Sequence, residues 1–164
     1  MKTTSRRRII GIDPGLASSG WGIIELKDNR VLYLTHGCIE TAANVSHPLR
    51  LLEIYKEIRK VIKKWQPNES AIEKLYFARN AKSAMPVGEA RGVLCMALAG
   101  EGLPIHELTP NAIKQAVTGV GSAEKMQVQD MTRIILGLTE IPKPDHAADA
   151  LAAAICAANL LQSY

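Results

Sequence analysis

The sequence predicts an α/β layer structure, one domain spanning residues 1–164 with a mixed β-sheet and helices packed on it. Three observations lead there. Apolar segments with strand-like patterning fill the first forty residues and are separated by turn residues. From Leu52 onward the apolar period becomes helical, and helix-like and strand-like segments alternate to the end. No internal repeat and no long linker divides the chain, and its 164 residues suffice for one sizeable core.

The elements follow in order. Residues 8–13 read as a strand, the turn "PGLASSG" follows, and 20–27 read as a second strand. "DNR" at 28–30 is a reverse turn and 31–40 a third strand, which suggests an antiparallel meander. Leu52, Tyr55, Ile58, Ile62 and Trp65 then recur at helical spacing, with lysines and Arg59 filling much of the remainder. Pro67 bounds that helix. Residues 69–77, "ESAIEKLYF", have strand-like content, and 82–100 return to helix despite Pro86 and Gly88. "PIHEL" at 104–108 is a short strand. "TPN" at 109–111 starts a helix over 110–118, with Thr109 as cap and Pro110 in the first turn. A further helix covers 123–136. The last helix opens with Asp145, His146 and Asp149 in its first turn, and these acids suit its positive end.

Composition narrows the class. The 20 Lys and Arg against 16 Asp and Glu give +4, a balance that allows a nucleic-acid partner without requiring one. Cys38, Cys95 and Cys156 stand far apart in apolar segments with no CxxC pair, so buried free thiols in a reducing compartment are expected. "MKTTSRRR" lacks the apolar core of a signal peptide and reads as a basic arm. The run "AADALAAAICAANLL" falls short of the roughly 20 residues that span a bilayer and contains Asp149, so a buried helix is expected and no membrane role.

The acids carry the chemistry. Asp13 closes an apolar strand before a stretch in which Gly15, Gly20 and Gly22 let the chain turn and return as the neighbouring strand, and there a turn residue and a catalytic acid fit equally well. Glu73 lies within or at the end of a core strand, where a lone charge costs several kcal/mol, and adjacent Lys74 faces the opposite side. His146 and Asp149, three apart, share a helical face, and Asp145 shares a side with Asp149. Taken together, Asp13, Glu73, His146 and Asp149 make an oxygen-rich site for Mg²⁺ or Mn²⁺, whereas no compact Cys/His spacing favours zinc. Such a cluster would hold two ions roughly 4 Å apart, one activating water for attack on phosphorus and one stabilising the leaving oxygen.

Four blocks, "GIDPGLASSGWGII", "AIEKLYFARNAKSAMPVGEARGV", "LTPNAIKQAVTGVGSAEKMQVQ" and "DHAADALAAAI", make the chain resemble, essentially end to end, the RuvC family. These are the bacterial Holliday-junction resolvases of the ribonuclease H-like superfamily. The resemblance implies a ribonuclease H-like five-stranded mixed sheet flanked by helices and a cytoplasmic homodimer that makes paired nicks in a four-way DNA junction during recombination and repair. It also implies Mg²⁺, with Mn²⁺ able to substitute and two ions per site, and partnership with the RuvA and RuvB branch-migration proteins. By matching motif, Asp13, Glu73, His146 and Asp149 are the catalytic, metal-binding set. Some relatives carry aspartate in place of His146, which leaves Asp145 as an acid that acts through a ligand without touching the metal, a weak ligand or a helix-start residue.

The same resemblance places Lys114 and Lys125 near the scissile backbone and an aromatic residue, Tyr76, beside the junction centre. Neighbouring Phe77 suits a buried position better. Arg79 and Lys82 extend a positive rim there, while Arg6, Arg7 and Arg8 have no matched role. The segment "SAMPVGEARGVLCMALAG" is apolar or small over more than one face; burial in a monomer and contact with a second subunit both fit, and the resemblance favours the symmetric dimer. The expected function is therefore a crossover junction endodeoxyribonuclease. The alternatives are a related nuclease acting on a hybrid or another branched substrate, a sugar-kinase-like ATP-binding domain, and a module that binds junctions without cutting.

Overall fold

The computed structural model describes residues 6–76 and 81–162. Its elements are β1 (Arg7–Asp13), β2 (Ser18–Lys27), β3 (Arg30–Glu40), α1 (His47–Trp65), β4 (Glu69–Glu73), α2 (Ala81–Gly100), β5 (Ile105–Leu108), α3 (Pro110–Thr118), α4 (Lys125–Ile135) and α5 (Asp145–Gln162). They build the α/β architecture expected, with one five-stranded sheet in the order β3-β2-β1-β4-β5.

The meander is antiparallel, with Asp13 opposite Gly20 and Lys27 opposite Arg30. Asp28 and Asn29 both have positive φ (50° and 60°), the backbone that a two-residue hairpin demands. β4 and β5 then add in parallel, with Ile12 beside Ile72 and Glu73 beside Leu108. The mixed sheet thus places the C-terminal ends of β1 and β4 side by side.

Strand alternation sends side chains to two cores. Ile9, Ile24, Ala71 and Leu108 pack with Leu151 and Ile155 of α5 and with Ile113 and Val128 of α3 and α4. Ile10, Ile12, Ile23 and Ile72 pack on the other face with Ile54, Ile58 and Ile62 of α1 and Leu94 and Leu98 of α2. Each fully buried Ile or Leu contributes about 1.5–3 kcal/mol by leaving water, so three layers form from apolar residues with almost no aromatic filling. Thr109 caps α3 as expected, its hydroxyl accepting from the Ala112 N–H.

Three expectations need correction. β4 ends at Glu73 and does not run to 77, because the neighbouring strand β5 ends at Leu108 and leaves little to pair with. Only Cys156 is buried, its thiol pushed up to about 11 by that burial; Cys38 and Cys95 are half-buried, although all three are free. Gly20 and Gly22 were expected to let the chain turn and return, yet neither has a left-handed backbone. They admit α5: a Cβ on Gly20 would lie 2.0 Å from the His146 carbonyl oxygen, and one on Gly22 2.5 Å from Leu151 Cγ. Gly15 does serve the turn, where a Cβ would meet the Ser18 carbonyl at 2.3 Å. Among the described residues no helix is long and apolar enough to cross a membrane.

Candidate active site

Asp13 is the last residue of β1, and its turn is held from several directions. The Ser19 hydroxyl donates to the Gly15 carbonyl (2.5 Å), the Thr41 hydroxyl donates to the Leu16 carbonyl (2.6 Å), and Arg50 donates to that Thr41 oxygen (2.8 Å). The carboxylate leaves this braced turn toward α5, where the His146 Nδ1–H donates to Asp13 Oδ2 at 2.7 Å. Three residues on, Asp149 Oδ2 lies 3.1 Å from Lys125 Nζ. Lys125 opens α4, immediately after the Glu124–Gln127 capping box that fixes that helix end. Its ammonium also lies 3.6 Å from Asp145 Oδ2.

Glu73 ends β4 beside this pair and projects to the α5 face, because Ile72 before it belongs to the opposite core. Burial pushes its carboxyl above the ordinary carboxylate range, Asp13 and Asp149 push it further, and Lys114 opposes them. Asp13 is raised too: burial dominates and Asp149 adds to it, against the hydrogen bond from His146 and the charges of His146 and Lys125. Lys125 is held above its ordinary value, because the hydrogen bond and charge of Asp149, with Asp145 and Asp13, outweigh its own desolvation. These are the shifts of carboxylates forced together in a partly dry place beside cations.

A cleft of about 180 Å³ opens there, lined by Glu73, Asp149, Lys114 and Lys125, with Ile113 and Val128 among its apolar walls. The structure therefore gathers Asp13, Glu73, His146, Asp149, Lys114 and Lys125 from β1, β4, α3, α4 and α5. Asp145 sits at its edge, 68% exposed and paired with Lys125. Tyr76 lies apart, 64% exposed, in a groove with Lys74 and Arg91 on the α2 side. Lys82 is exposed in the first turn of α2 beside His47 and Glu89, and does not join the acids. Arg79 and Phe77 lie outside the described residues.

The donor chemistry fits a hard divalent cation: three carboxylates and one imidazole face a common region, and two of the acids resist ionising without added positive charge. Among the described residues no three of the His, Cys, Asp and Glu side chains already converge as a ligand set. In this arrangement His146 pairs with Asp13 and Lys125 with Asp149.

Sequence reasoning missed Arg91, whose guanidinium Nε donates to the Glu73 carbonyl at 3.0 Å. The only signal was an arginine within an otherwise small and apolar helix, which by itself indicates nothing.

Comparison with known proteins gives a consistent picture. The family model described as "Crossover junction endodeoxyribonuclease RuvC" matches residues 9–157. A protein of that name from Treponema denticola is 53% identical over 159 residues, covering 97% of this chain and 89% of the relative. One from Desulfitobacterium hafniense is 52% identical over 151 residues, covering 92% of each. Among solved structures, Thermus thermophilus RuvC in complex with a Holliday junction substrate superimposes with a TM-score of 0.86 at 30% identity, covering 96% of both chains. A yeast mitochondrial Holliday junction resolvase, 12% identical with a TM-score of 0.67 over 96% of this chain and 83% of its own, shares the fold.

Proposed function

The chain belongs to the RuvC family of crossover junction endodeoxyribonucleases, and from that premise we propose that it resolves four-way DNA junctions by hydrolysing phosphodiester bonds at the Asp13–Glu73–His146–Asp149 cluster. One observation carries the assignment to these residues. Glu73 and Asp149 line one cleft with Lys114 and Lys125, the Asp13 carboxylate acts on Glu73 and Asp149 by charge from beside it, and burial raises Asp13 and Glu73.

Asp13, Glu73, Asp149 and His146 are the residues that would hold Mg²⁺, or Mn²⁺ in its place, as two ions. When bound, such ions supply an activated water and neutralise charge on the leaving oxygen. The chain's own residues do the rest. Lys125 and Lys114 offer point charges to the non-bridging oxygens of a phosphate placed over the cleft. His146, held by Asp13 at Nδ1, keeps Nε2 free as a neutral donor to an ion. Ile113 and Val128 wall the cleft against water, which strengthens each charge interaction inside it.

Further from the chemistry, exposed Tyr76 is placed to stack on an unpaired base, worth about 1–3 kcal/mol, and Arg79 and Lys82 would serve the backbone nearby. Asp145 acts through Lys125. Paired nicking requires two sites, so the working form is a homodimer, acting in the cytoplasm with RuvA and RuvB.

The test incubates the protein and Asp13→Asn with a labelled immobile four-way junction, a linear duplex and an RNA–DNA hybrid, with and without Mg²⁺ or Mn²⁺. Metal-dependent junction cleavage by the parent, lost in Asp13→Asn while junction binding persists, is expected. Cleavage of the hybrid alone would transfer the assignment to a different ribonuclease H-like substrate. Junction binding without cleavage in either metal would leave a non-cutting module.

A further inference from the structure

The geometry points to Arg91 as a positioning residue for Glu73: its guanidinium holds the peptide that follows the acid and so fixes where the carboxylate stands. This rests on the reading of Glu73 as a metal-binding acid. The Lys74 N–H donates to the Leu108 carbonyl of β5 at 2.8 Å. Across a trans peptide the preceding carbonyl points the other way, so the Glu73 oxygen turns toward the β1 side. β1 has no ladder donor left to offer. Extending the Ile12–Ile72 register brings Pro14 beside Lys74, and proline has no N–H.

Arg91 fills that place. Its Nε donates to the Glu73 carbonyl at 3.0 Å, while its other end is paired with Glu107 of β5. The side chain is 19% exposed and bridges α2, β4 and β5 at the residue where the sheet stops and the chain departs toward Tyr76. It reaches Glu73 through the backbone, from the face opposite the carboxylate, and the charges that act on the carboxyl come from Asp13, Asp149 and Lys114. Arg91 therefore sets geometry without setting charge. A lysine keeps the charge but lacks the rigid planar fork that meets the carbonyl with one nitrogen and Glu107 with another.

The experiment measures Mn²⁺ binding directly, from the free-ion resonance in electron paramagnetic titrations of the full chain. Parent, Arg91→Lys, Glu107→Gln and Glu73→Gln are compared, with thermal unfolding of each. Arg91→Lys is expected to weaken Mn²⁺ binding about tenfold, the scale seen when groups that orient ligands are lost. Glu107→Gln, which changes a half-exposed residue and leaves the fold intact, should shift binding in the same direction by a smaller factor. Unchanged Mn²⁺ binding in both variants, with Glu73→Gln weakened, would overturn the role of Arg91 alone. Unchanged binding in Glu73→Gln would overturn the ligand reading on which it stands.

Discussion

Gly20→Ala is a severe small change to the site, because it acts on the register of α5 against the sheet. The new Cβ would lie 2.0 Å from the His146 carbonyl oxygen, 2.2 Å from its carbon and 2.7 Å from the Ala147 nitrogen, all backbone atoms that cannot rotate away. Restoring an ordinary contact of 3.4 Å from 2.0 Å requires the first turn of α5 to retreat by about 1.4 Å. That movement stretches the 2.7 Å His146–Asp13 hydrogen bond beyond hydrogen-bonding range and carries Asp149 off with it. Overpacking of this kind costs about 1–3 kcal/mol, a fall of roughly 2–12 °C in melting temperature for a domain of this size. Misplacing reacting groups by about 1 Å costs about 10²-fold in rate. Single-turnover cleavage of a labelled four-way junction, with thermal unfolding followed in parallel, measures both. Gly22→Ala provides the comparison, since its Cβ meets chiefly the Leu151 side chain one turn further along; it should lower stability while cleavage falls less than about tenfold. Gly20→Ala cutting within about threefold of the parent, at an unchanged melting temperature, would refute the apposition of α5 and β2 as the device that builds the site.

Two glutamates should respond to pH with opposite signs. Glu73 has a raised carboxyl, so the stability it contributes is complete below its unfolded value near 4.5 and is lost as pH rises through the higher folded value. Glu73→Gln should therefore abolish cleavage yet stabilise the metal-free protein at neutral pH by about 0.5–2 kcal/mol, with the gain vanishing near pH 4; urea unfolding in chelator at both pH values tests this, and a less stable variant at pH 7 would contradict it. For Glu25, burial pushes the carboxyl up, but hydrogen bonds from Arg6 and Arg8 outweigh it and hold it low, so its contribution is present above about pH 4.5 and is lost as pH falls. Glu25→Gln should cost about 1–2 kcal/mol at pH 7, below the 3–5 of a fully buried pair because both arginines reach water, and should leave cleavage unchanged.

Much of this fold was legible because its local signals agree. The alternation before residue 41, the helical recurrence from Leu52 to Trp65 and the Thr109–Pro110 start each name one structure, and each is found. The acids were legible as a type of chemistry, since a carboxylate at a core strand end demands a reason. Their grouping was expected from residue type, but the device that brings them together was not legible, because it depends on β1 and β4 pairing in parallel across some sixty residues, with Ile12 against Ile72. The glycines misled for a related reason: a glycine that frees the backbone and one that admits a helix look identical in sequence, and only the packed α5 tells them apart. Lys82 and Lys125 look alike in sequence, but only Lys125 follows a cap that aims it at the acids. Arg91 was invisible because its target is a carbonyl oxygen, a group every residue carries.

The pairing of charges in the cleft has a consequence for the order of events in the proposed reaction. Asp13 and Asp149 each already have a partner in the chain, the His146 imidazole from α5 and the Lys125 ammonium from α4. Glu73 has only Lys114 as an opposing positive charge, and among the described residues nothing donates a hydrogen bond to its carboxylate. On the proposed reading, Glu73 is thus the acid with the least internal compensation, and Lys125 is the partner that a cation held by Asp149 would replace. A displaced Lys125 remains tethered to the end of α4, 57% exposed, and faces the cleft in which a phosphate would lie. In the proposed reaction, the group that pairs with Asp149 at rest would then be available to the DNA backbone. Holding a cation at the acids and freeing Lys125 would be one exchange, in which the cation takes over the relief of repulsion between Asp13, Glu73 and Asp149 that Lys125 now supplies.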